Sequence, residues 1–191
     1  TALVERLGDQ RAAALMRKHD RLARDLVLRH GGREIDKTDG FLVLFERPIN
    51  GVAFALDYQH ALQRLGKEEQ QPLRARVGVH VGDVVMWDNA ADDVAHGAKP
   101  VEVEGLVKPV VARLASLALP GQILASGVAA NLAQRALGDR GIVPSADRAY
   151  SRDEIARAVM DAAGVHLRPH SPLATGDAHH LPPQPQTATF Q

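Results

Sequence analysis

Residues Arg33 to Phe45 read R-E-I-D-K-T-D-G-F-L-V-L-F, and this stretch decides how the rest of the chain is interpreted. A polar-alternating run ends at Lys37, Thr38-Asp39-Gly40 follows, and a continuous apolar run begins at Phe41. Asp-Gly tolerates the positive φ angles of two-residue hairpin turns, so the stretch predicts two antiparallel strands joined by a tight turn. Asp39 then lies at the tip of the hairpin. Because Asp before Gly is most often only a turn residue, the hairpin alone gives it no function.

The composition describes an ordinary water-soluble domain with no strong charge bias. The chain has 191 residues, 45% of them apolar and 24% charged, which suits one domain with an extension. Lysine plus arginine equals aspartate plus glutamate, 23 each, so we expect no nucleic-acid partner. The absence of cysteine excludes disulfides and cysteine-based zinc sites, and it is compatible with the cytoplasmic location that we expect. No apolar run approaches the roughly 20 residues of a membrane span, so no membrane segment is predicted.

Helical and strand patterns alternate along the first 137 residues. A long helix is predicted from an N-cap at Asp9 to Gly31-Gly32, and a second helix follows Pro48. The remaining predicted elements are a strand from Leu73, a turn near Gly82-Asp83, a strand up to Trp87, a polar segment Asp88 to Glu104, a helix Val107 to Ala118, a strand Gln122 to Ala125 and a helix Val128 to Leu137. This order predicts an α+β fold in which helices pack on a mostly antiparallel sheet. The polar segment is too long for a simple connection, so we expect it to line a site or an interface.

Residues 138–191 form a separate segment by composition. Six of the eleven prolines and four of the nine histidines lie there. We predict a short helix at Arg152 to Ala163 and a largely disordered extension otherwise, whereas residues 1–137 form the folded domain. The chain opens at Thr1 directly on helix-forming sequence, which we interpret as a fragment whose start lies upstream.

Four motifs together resemble the catalytic domain of class III adenylyl and guanylyl cyclases, and more narrowly a divergent proteobacterial branch. They are T-D-G-F-L-V-L-F from Thr38, R-V-G-V-H-V-G-D-V from Arg76, G-L-V-K-P-V-V-A-R-L from Gly105 and P-G-Q-I-L-A-S from Pro120. Each motif is common, but the four in this order and spacing are fairly specific, and the resemblance covers residues 1–137.

The resemblance implies a ferredoxin-like core and a nucleotidyl cyclase. Such an enzyme converts a nucleoside triphosphate, here with ATP favoured, into its 3′,5′-cyclic monophosphate and pyrophosphate. It implies two Mg²⁺ or Mn²⁺ ions, a homodimer with the site between two domains, Asp39 as a metal ligand, Arg113 as the catalytic arginine and Glu102 as a substrate-binding carboxylate. The family's first metal-binding aspartate is expected upstream of Thr1, on a first strand that this chain lacks.

Two positions depart from the family pattern. The base-selecting lysine is normally four residues before the second metal aspartate, where this chain has Ile35. Lys37 is two residues away and, on a strand of period two, is expected to face the same side as Ile35 and Asp39, so it is our candidate substrate-binding lysine. The ribose-orienting asparagine aligns with Pro109, which has no side-chain hydrogen-bond donor.

These departures leave two functions open. The first is the cyclase, with the fragment alone expected to be inactive because one carboxylate cannot hold two ions. The second is a degenerate cyclase-like nucleotide-binding or dimerising regulatory module without catalysis. The alternative interpretation of Arg113 is a surface arginine that covers apolar surface with its stem. The alternative interpretation of Lys37 is a solvated strand lysine.

Overall fold

Helices and strands account for most of the described chain. The computed structural model describes residues 2–38, 40–137, 143–144 and 149–150. The helices are α1 (Ala2–Leu7), α2 (Asp9–Arg29), α3 (Pro48–Glu68), α4 (Ala91–Ala95), α5 (Val107–Leu117) and α6 (Gly127–Leu137). The strands are β1 (Gly32–Lys37), β2 (Phe41–Phe45), β3 (Val77–Val79), β4 (Val85–Asp88), β5 (Val101–Glu104), β6 (Ile123–Ala125), β7 (Val143–Pro144) and β8 (Ala149–Tyr150).

The strands form four two-stranded units. β1 with β2, β4 with β5 and β7 with β8 are antiparallel, whereas β3 and β6 are parallel. The predicted strand, turn and strand around Gly82 therefore do not make a hairpin, because β3 and β4 each pair with a strand from later in the chain. A parallel partner for β3 requires a crossover, which the α5 connection supplies.

The β1–β2 hairpin differs in its turn from the two-residue loop expected from Asp-Gly. Lys37 pairs with Phe41, which leaves three residues, 38–40, in the connection. A bulge also interrupts β1, because Glu34 pairs with Val43 while Asp36 pairs with the next residue, Leu42. One extra residue in β1, Ile35, is accommodated there, and such a bulge resets which side chains share a face.

Helices cover both faces of the strands, which confirms the predicted α+β class. On one face, α2, α3 and α6 share an apolar core with the strands, and α3 is buried along most of its length. On the other face, α5 packs through Leu114 and Ala118 on Leu124 of β6, and through Ala112 on Leu42 of β2. α5 thus touches strands from both ends of the sequence, since β2 and β6 are about eighty residues apart in the chain.

Several element boundaries depart from the sequence predictions. Asp9 is the first residue of α2 rather than its cap, and Gly8, with a φ of 74°, precedes it. The polar segment 88–104 contains a helical turn and a strand, α4 and β5, and is not a plain loop. The helix predicted at Arg152 to Ala163 lies outside the described residues. Among the helices that the structure describes, none combines the length and apolarity needed to cross a membrane.

Candidate functional site

The bulge in β1 places Lys37 and Ile35 on opposite faces of the hairpin. Ile35 packs with Leu42 and Ala112 on the α5 side. Lys37 pairs with Asp20 of α2 and lies over the ring of Phe41, 5.7 Å from its centroid, on the α2 side. The expectation that strand period two would bring Lys37 to the side of Ile35 is therefore wrong, because the bulge breaks the alternation between them.

Lys37 belongs to a chain of polar contacts that reaches the core. Its partner Asp20 accepts a hydrogen bond from His19 Nδ1 at 3.0 Å, and His19 Nε2 lies 2.5 Å from the Tyr58 hydroxyl. Burial lowers the pKa of His19 despite the opposing effect of the Asp20 carboxylate, and burial raises the pKa of Tyr58. Burial opposes ionisation of Asp20, but hydrogen bonds from Lys37 and His19 outweigh it and lower the pKa of that carboxyl. Sequence reasoning missed this chain of contacts; adjacent His19-Asp20 one turn before Arg24 was the only local signal.

An apolar groove separates the β1–β2 hairpin from the β3–β6 pair. Its volume is about 460 Å³, far larger than the voids of a close-packed interior. Residues 42–46 line one side and residues 78–82 the other, while Phe54 of α3 lies on one face and Val111 of α5 on the opposite face. Within the described residues, β2 pairs only with β1 and β3 pairs only with β6, so the edges that line the groove have no strand partner.

The unpaired strand edges and the apolar walls of this groove suit one additional strand. Neighbouring strands lie about 4.8 Å apart in the hydrogen-bonding direction, and a strand of five residues is about 17 Å long. Both faces of such a strand meet apolar side chains, so its sequence has to be apolar on both faces, as in strands covered by helices on two sides.

Polar groups lie at the rim of the groove. His80 Nδ1 is 2.8 Å from the Ser126 hydroxyl, which also accepts a hydrogen bond from the Ala129 amide at the start of α6. Burial lowers the pKa of His80. Lys108 donates to the Val103 carbonyl at 2.9 Å and fastens the first turn of α5 to β5. These contacts connect neighbouring elements and are structural.

Arg113 lies on the exposed face of α5. Pro109 is on the same face, four residues earlier, while Ala112 and Ala115 face the strands. The Arg113 carbonyl accepts a hydrogen bond from Ser116, and the side chain extends from the solvent side of the helix. Arg113 therefore does not point toward the hairpin of its own chain across the groove.

Exposed apolar residues lie on the same helix as Arg113 and just before it. Val110 is 39% exposed and Leu117 is 44% exposed, both on α5, and Leu106 just before the helix is 85% exposed. β4 adds Val85 and Trp87, which are also exposed. Scattered exposed apolar residues are ordinary, but Val110 and Leu117 are three and four residues from Arg113 and so share its face of α5.

Glu102 is half-buried on β5, opposite Trp87 of β4. Asn89 Nδ2 is 3.5 Å from one carboxylate oxygen, and the same amide donates to the Lys99 carbonyl at 2.7 Å. Because the second contact is the shorter, Glu102 keeps hydrogen-bonding capacity for another donor. Within the described residues, Glu102 makes no contact with Lys37, which the structure directs to α2 instead.

Asp39, the predicted metal ligand, lies outside the described residues. The nearest described carboxylate in β1 is Asp36, which is paired with Lys99 at 2.6 Å. No group of three or more histidine, aspartate or glutamate side chains in the described residues has the arrangement of a metal site. The described residues alone therefore do not fit a two-metal centre.

Comparisons with known proteins identify the fold. Neither a scan against protein-family models nor a search of curated proteins gave a match. Among solved structures, the chain is similar to the guanylyl cyclase Cya2, with 23% identity and a TM-score of 0.57 over 72% of this chain and 75% of that one. It is also similar to the adenylyl cyclase CyaB from P. aeruginosa, with 18% identity and a TM-score of 0.60 over 78% of this chain and 84% of that one. The chain has a class III cyclase-like fold. The cyclase-like fold confirms the family resemblance of the four motifs at the level of architecture; the roles of individual residues stay predictions.

Proposed function

We propose that this chain is the core of a nucleotidyl cyclase domain that converts a nucleoside triphosphate, ATP in preference, into its 3′,5′-cyclic monophosphate and pyrophosphate. The observation that carries the proposal is the cyclase-like fold, with Arg113 on the outer face of α5 in the third of the four motifs. The domain works inside the cell in signalling, as a homodimer.

The exposed position of Arg113 supports a site formed between two domains. An arginine that stabilises a reacting phosphate has to lie against the substrate, yet Arg113 faces away from the strands of its own chain. The exposed apolar residues Val110 and Leu117 beside it are the kind of surface that a second copy covers. Pairing two copies through this face brings Arg113 of one domain toward the hairpin of the other.

The groove between β2 and β3 supports the expected first strand. In a split β-α-β arrangement, two strands joined by a helix are separated by a third strand that lies between them. β2, α3 and β3 have this connectivity, and α3 contacts both strands. A strand apolar on both faces, inserted here, adds the backbone partners that β2 and β3 lack in the described part of the chain, and it brings its own carboxylate beside the hairpin that contains Asp39.

The chemistry divides between this chain and the bound ions. The 3′-hydroxyl oxygen forms a bond to the α-phosphorus, the bond to the departing pyrophosphate breaks, and the hydroxyl proton passes to solvent. Asp39 and a second carboxylate would hold two Mg²⁺ or Mn²⁺ ions, which would supply Lewis acidity toward that hydroxyl. Arg113 stabilises the charge that develops on the departing pyrophosphate, and Glu102 accepts a hydrogen bond from the base.

A second function is favoured by one observation. Ile35 is packed among apolar side chains, and Lys37 is held by Asp20, so neither described residue at the base-selecting position of β1 offers a free cation to a purine. A degenerate cyclase-like module that binds nucleotide or dimerises without catalysis needs no such group.

The test is a cyclic-nucleotide assay on the full-length natural protein. Arg113→Ala is expected to lower kcat about 100-fold with a smaller change in KM, because the arginine acts on charge present mainly in the transition state. Arg135→Ala is the matched control, since Arg135 is also an exposed helix arginine, in the last turn of α6. Asp39→Ala is expected to abolish turnover.

Two outcomes separate the functions. Product that depends on Mg²⁺ or Mn²⁺ and on Arg113 supports the enzyme. A folded protein that binds ATP but forms no cyclic product, with Arg113→Ala and Arg135→Ala alike, supports the regulatory module.

A further inference from the structure

We propose that Asp20, His19 and Tyr58 act together as a positioning unit for the end of the β1–β2 hairpin, and that this unit makes the hairpin sensitive to mild acid. The proposal rests on the proposed function in one respect, namely the role of Asp39 in the reaction. Lys37, the residue that Asp20 holds, precedes Asp39 by two positions in the chain.

The contacts run without interruption from the core to the strand end. Tyr58 is 2% exposed on α3, and its hydroxyl meets His19 Nε2 at 2.5 Å. His19 Nδ1 meets Asp20 at 3.0 Å, and the other oxygen of Asp20 pairs with Lys37. Three elements, α3, α2 and β1, are thereby joined through polar atoms that run from the buried Tyr58 to the partly exposed Lys37.

Hydrogen-bond chemistry fixes the direction of each bond. An ionised Asp20 can only accept, so neutral His19 carries its proton on Nδ1 and donates it to the carboxylate. His19 Nε2 is then an acceptor, and the Tyr58 hydroxyl donates to it. This tautomer leaves the second oxygen of Asp20 for the Lys37 ammonium.

The bulge in β1 makes the arrangement possible. Glu34 and Lys37 are three residues apart and would face opposite sides of a regular strand. With the extra residue between them, both face α2, where Arg24 holds Glu34 with two bonds of 2.7 and 2.9 Å and Asp20 holds Lys37. Asp20 and Arg24 are four residues apart, so they lie on one face of α2 and bind two side chains of β1.

Protonation of His19 disturbs this order of donors and acceptors. Nε2 becomes a donor that faces the Tyr58 hydroxyl, so the hydroxyl proton has to turn away. The imidazolium then also competes with Lys37 for Asp20, and the two cations repel each other. The groups that face His19 are Asp20 on its own helix, Lys37 from β1 and Tyr58 from α3, with the ring of Phe41 from β2 packed 5.9 Å away. Acid therefore weakens the hold on Lys37.

The sign of the pH effect follows from burial. Burial lowers the pKa of His19 below its ordinary value of 6.5, so neutral His19 stabilises the fold above pH 6.5. This contribution is lost as the pH falls from 6.5 through the folded-state pKa. The hairpin end is expected to loosen over the same range.

The first experiment is an NMR titration of the full-length protein. The His19 ring signals and the Gly40 amide shift are expected to change with one common midpoint below 6.5. His96, an exposed histidine whose ring nitrogen bonds the Asp92 carbonyl of its own helical turn, is the internal control. Tyr58→Phe removes the donor to neutral His19 and is expected to raise its midpoint. A Gly40 shift with a midpoint unrelated to that of His19 overturns the acid sensitivity.

The second experiment compares two aspartates on α2. Asp20→Asn is expected to speed hydrogen exchange at the Lys37 and Phe41 amides about tenfold and to lower kcat with little change in KM. Asp25→Asn, an exposed aspartate on the same helix, is expected to change neither. Asp20→Glu, which keeps the charge, is expected to restore part of both. Equal exchange in Asp20→Asn and Asp25→Asn overturns the positioning unit.

The exchange and shift measurements do not depend on turnover. A parent protein without cyclase activity contradicts the proposed function, yet loosened exchange in Asp20→Asn still supports the positioning unit. Full activity in Asp20→Asn with loosened exchange shows that the unit does not position a reacting group, and this overturns its link to the reaction.

Discussion

Replacing Gly78 by alanine tests how closely α5 is seated on β3. An alanine Cβ at this position lies 2.5 Å from the Val111 carbonyl oxygen, 2.8 Å from the Ala115 amide nitrogen and 3.0 Å from Leu114 Cβ. Two of these three atoms belong to the backbone of α5, so no side-chain rotation relieves the clash. The helix has to move outward as a body, which opens the apolar contacts of Ala112 and Leu114 with the strands.

The expected cost is about 3 kcal/mol, the upper part of the range for overpacked interiors, because rigid backbone meets rigid backbone. In urea, with an m-value of about 2 kcal/mol/M, this lowers the unfolding midpoint by about 1.5 M. Circular dichroism of urea-unfolded samples measures it. Gly127→Ala is the matched control, since nothing lies within 4 Å of its added Cβ at the exposed start of α6, and a small gain of about 0.5 kcal/mol is expected. A midpoint for Gly78→Ala within ~0.2 M of the parent refutes the seating of α5 that directs Arg113 outward.

Three further predictions follow from contacts described above or from their surroundings. His30→Ala removes the 2.8 Å bond from the buried imidazole to Asp57, between α2 and α3, and is expected to lower the free energy of unfolding by about 2 kcal/mol, measured in urea; an unchanged midpoint would show that the pair contributes nothing. In acid, the free energy of unfolding is expected to fall as the pH drops below 6.5, because burial lowers the pKa of His19; His19→Gln should flatten this part of the profile. Val110→Glu is expected to weaken self-association about tenfold in sedimentation, since one buried charge costs at least 1.4 kcal/mol, whereas Leu28→Glu, on the exposed side of α2 at 79% exposure, leaves it unchanged. A monomeric parent at all concentrations contradicts the homodimer.

The sequence was sufficient for the fold class and for the order of most elements, although α4 and β5 were not predicted. Apolar spacing predicted α2, α3 and α5, because each helix buries one stripe against strands and that stripe is visible as a period. The run Phe41 to Phe45 predicted a buried strand because it is continuous, and it lies between helices as expected. These features depend on neighbours within one element, which a local pattern encodes.

The bulge in β1 could not be predicted from its residues. Glu34-Ile35-Asp36-Lys37 alternates polar and apolar residues in part, and nothing local marks Ile35 as the extra residue. The bulge is explained by partners on α2, since Asp20 and Arg24 are spaced to hold Lys37 and Glu34 on one face. That information is in a helix more than ten residues away. This is why the prediction that Lys37 faces the same side as Ile35 was wrong.

Strand partners were the other feature that local patterns could not supply. The sequence R-V-G-V-H-V-G-D-V has the glycine and aspartate of a turn between two apolar runs, which is typical of a hairpin. β3 instead pairs with β6, where Val77 lies beside Ile123, and this pair packs between α3 and α5. Ala125 and Leu124 of β6 are fully buried there, so pairing was decided by packing rather than by the turn.

The groove between β2 and β3 also determines how forces pass through the domain. No backbone ladder joins the two strand pairs in the described residues, so helix packing alone connects them, through α3 on one side and α5 on the other. Apolar packing yields readily to shear, whereas a ladder of hydrogen bonds breaks only when many bonds break together. In the described residues, shear between the hairpin and the β3–β6 pair is therefore resisted by packing and not by a shared ladder of hydrogen bonds. Insertion of a strand paired with both β2 and β3 would add such a ladder and join the two halves into one sheet.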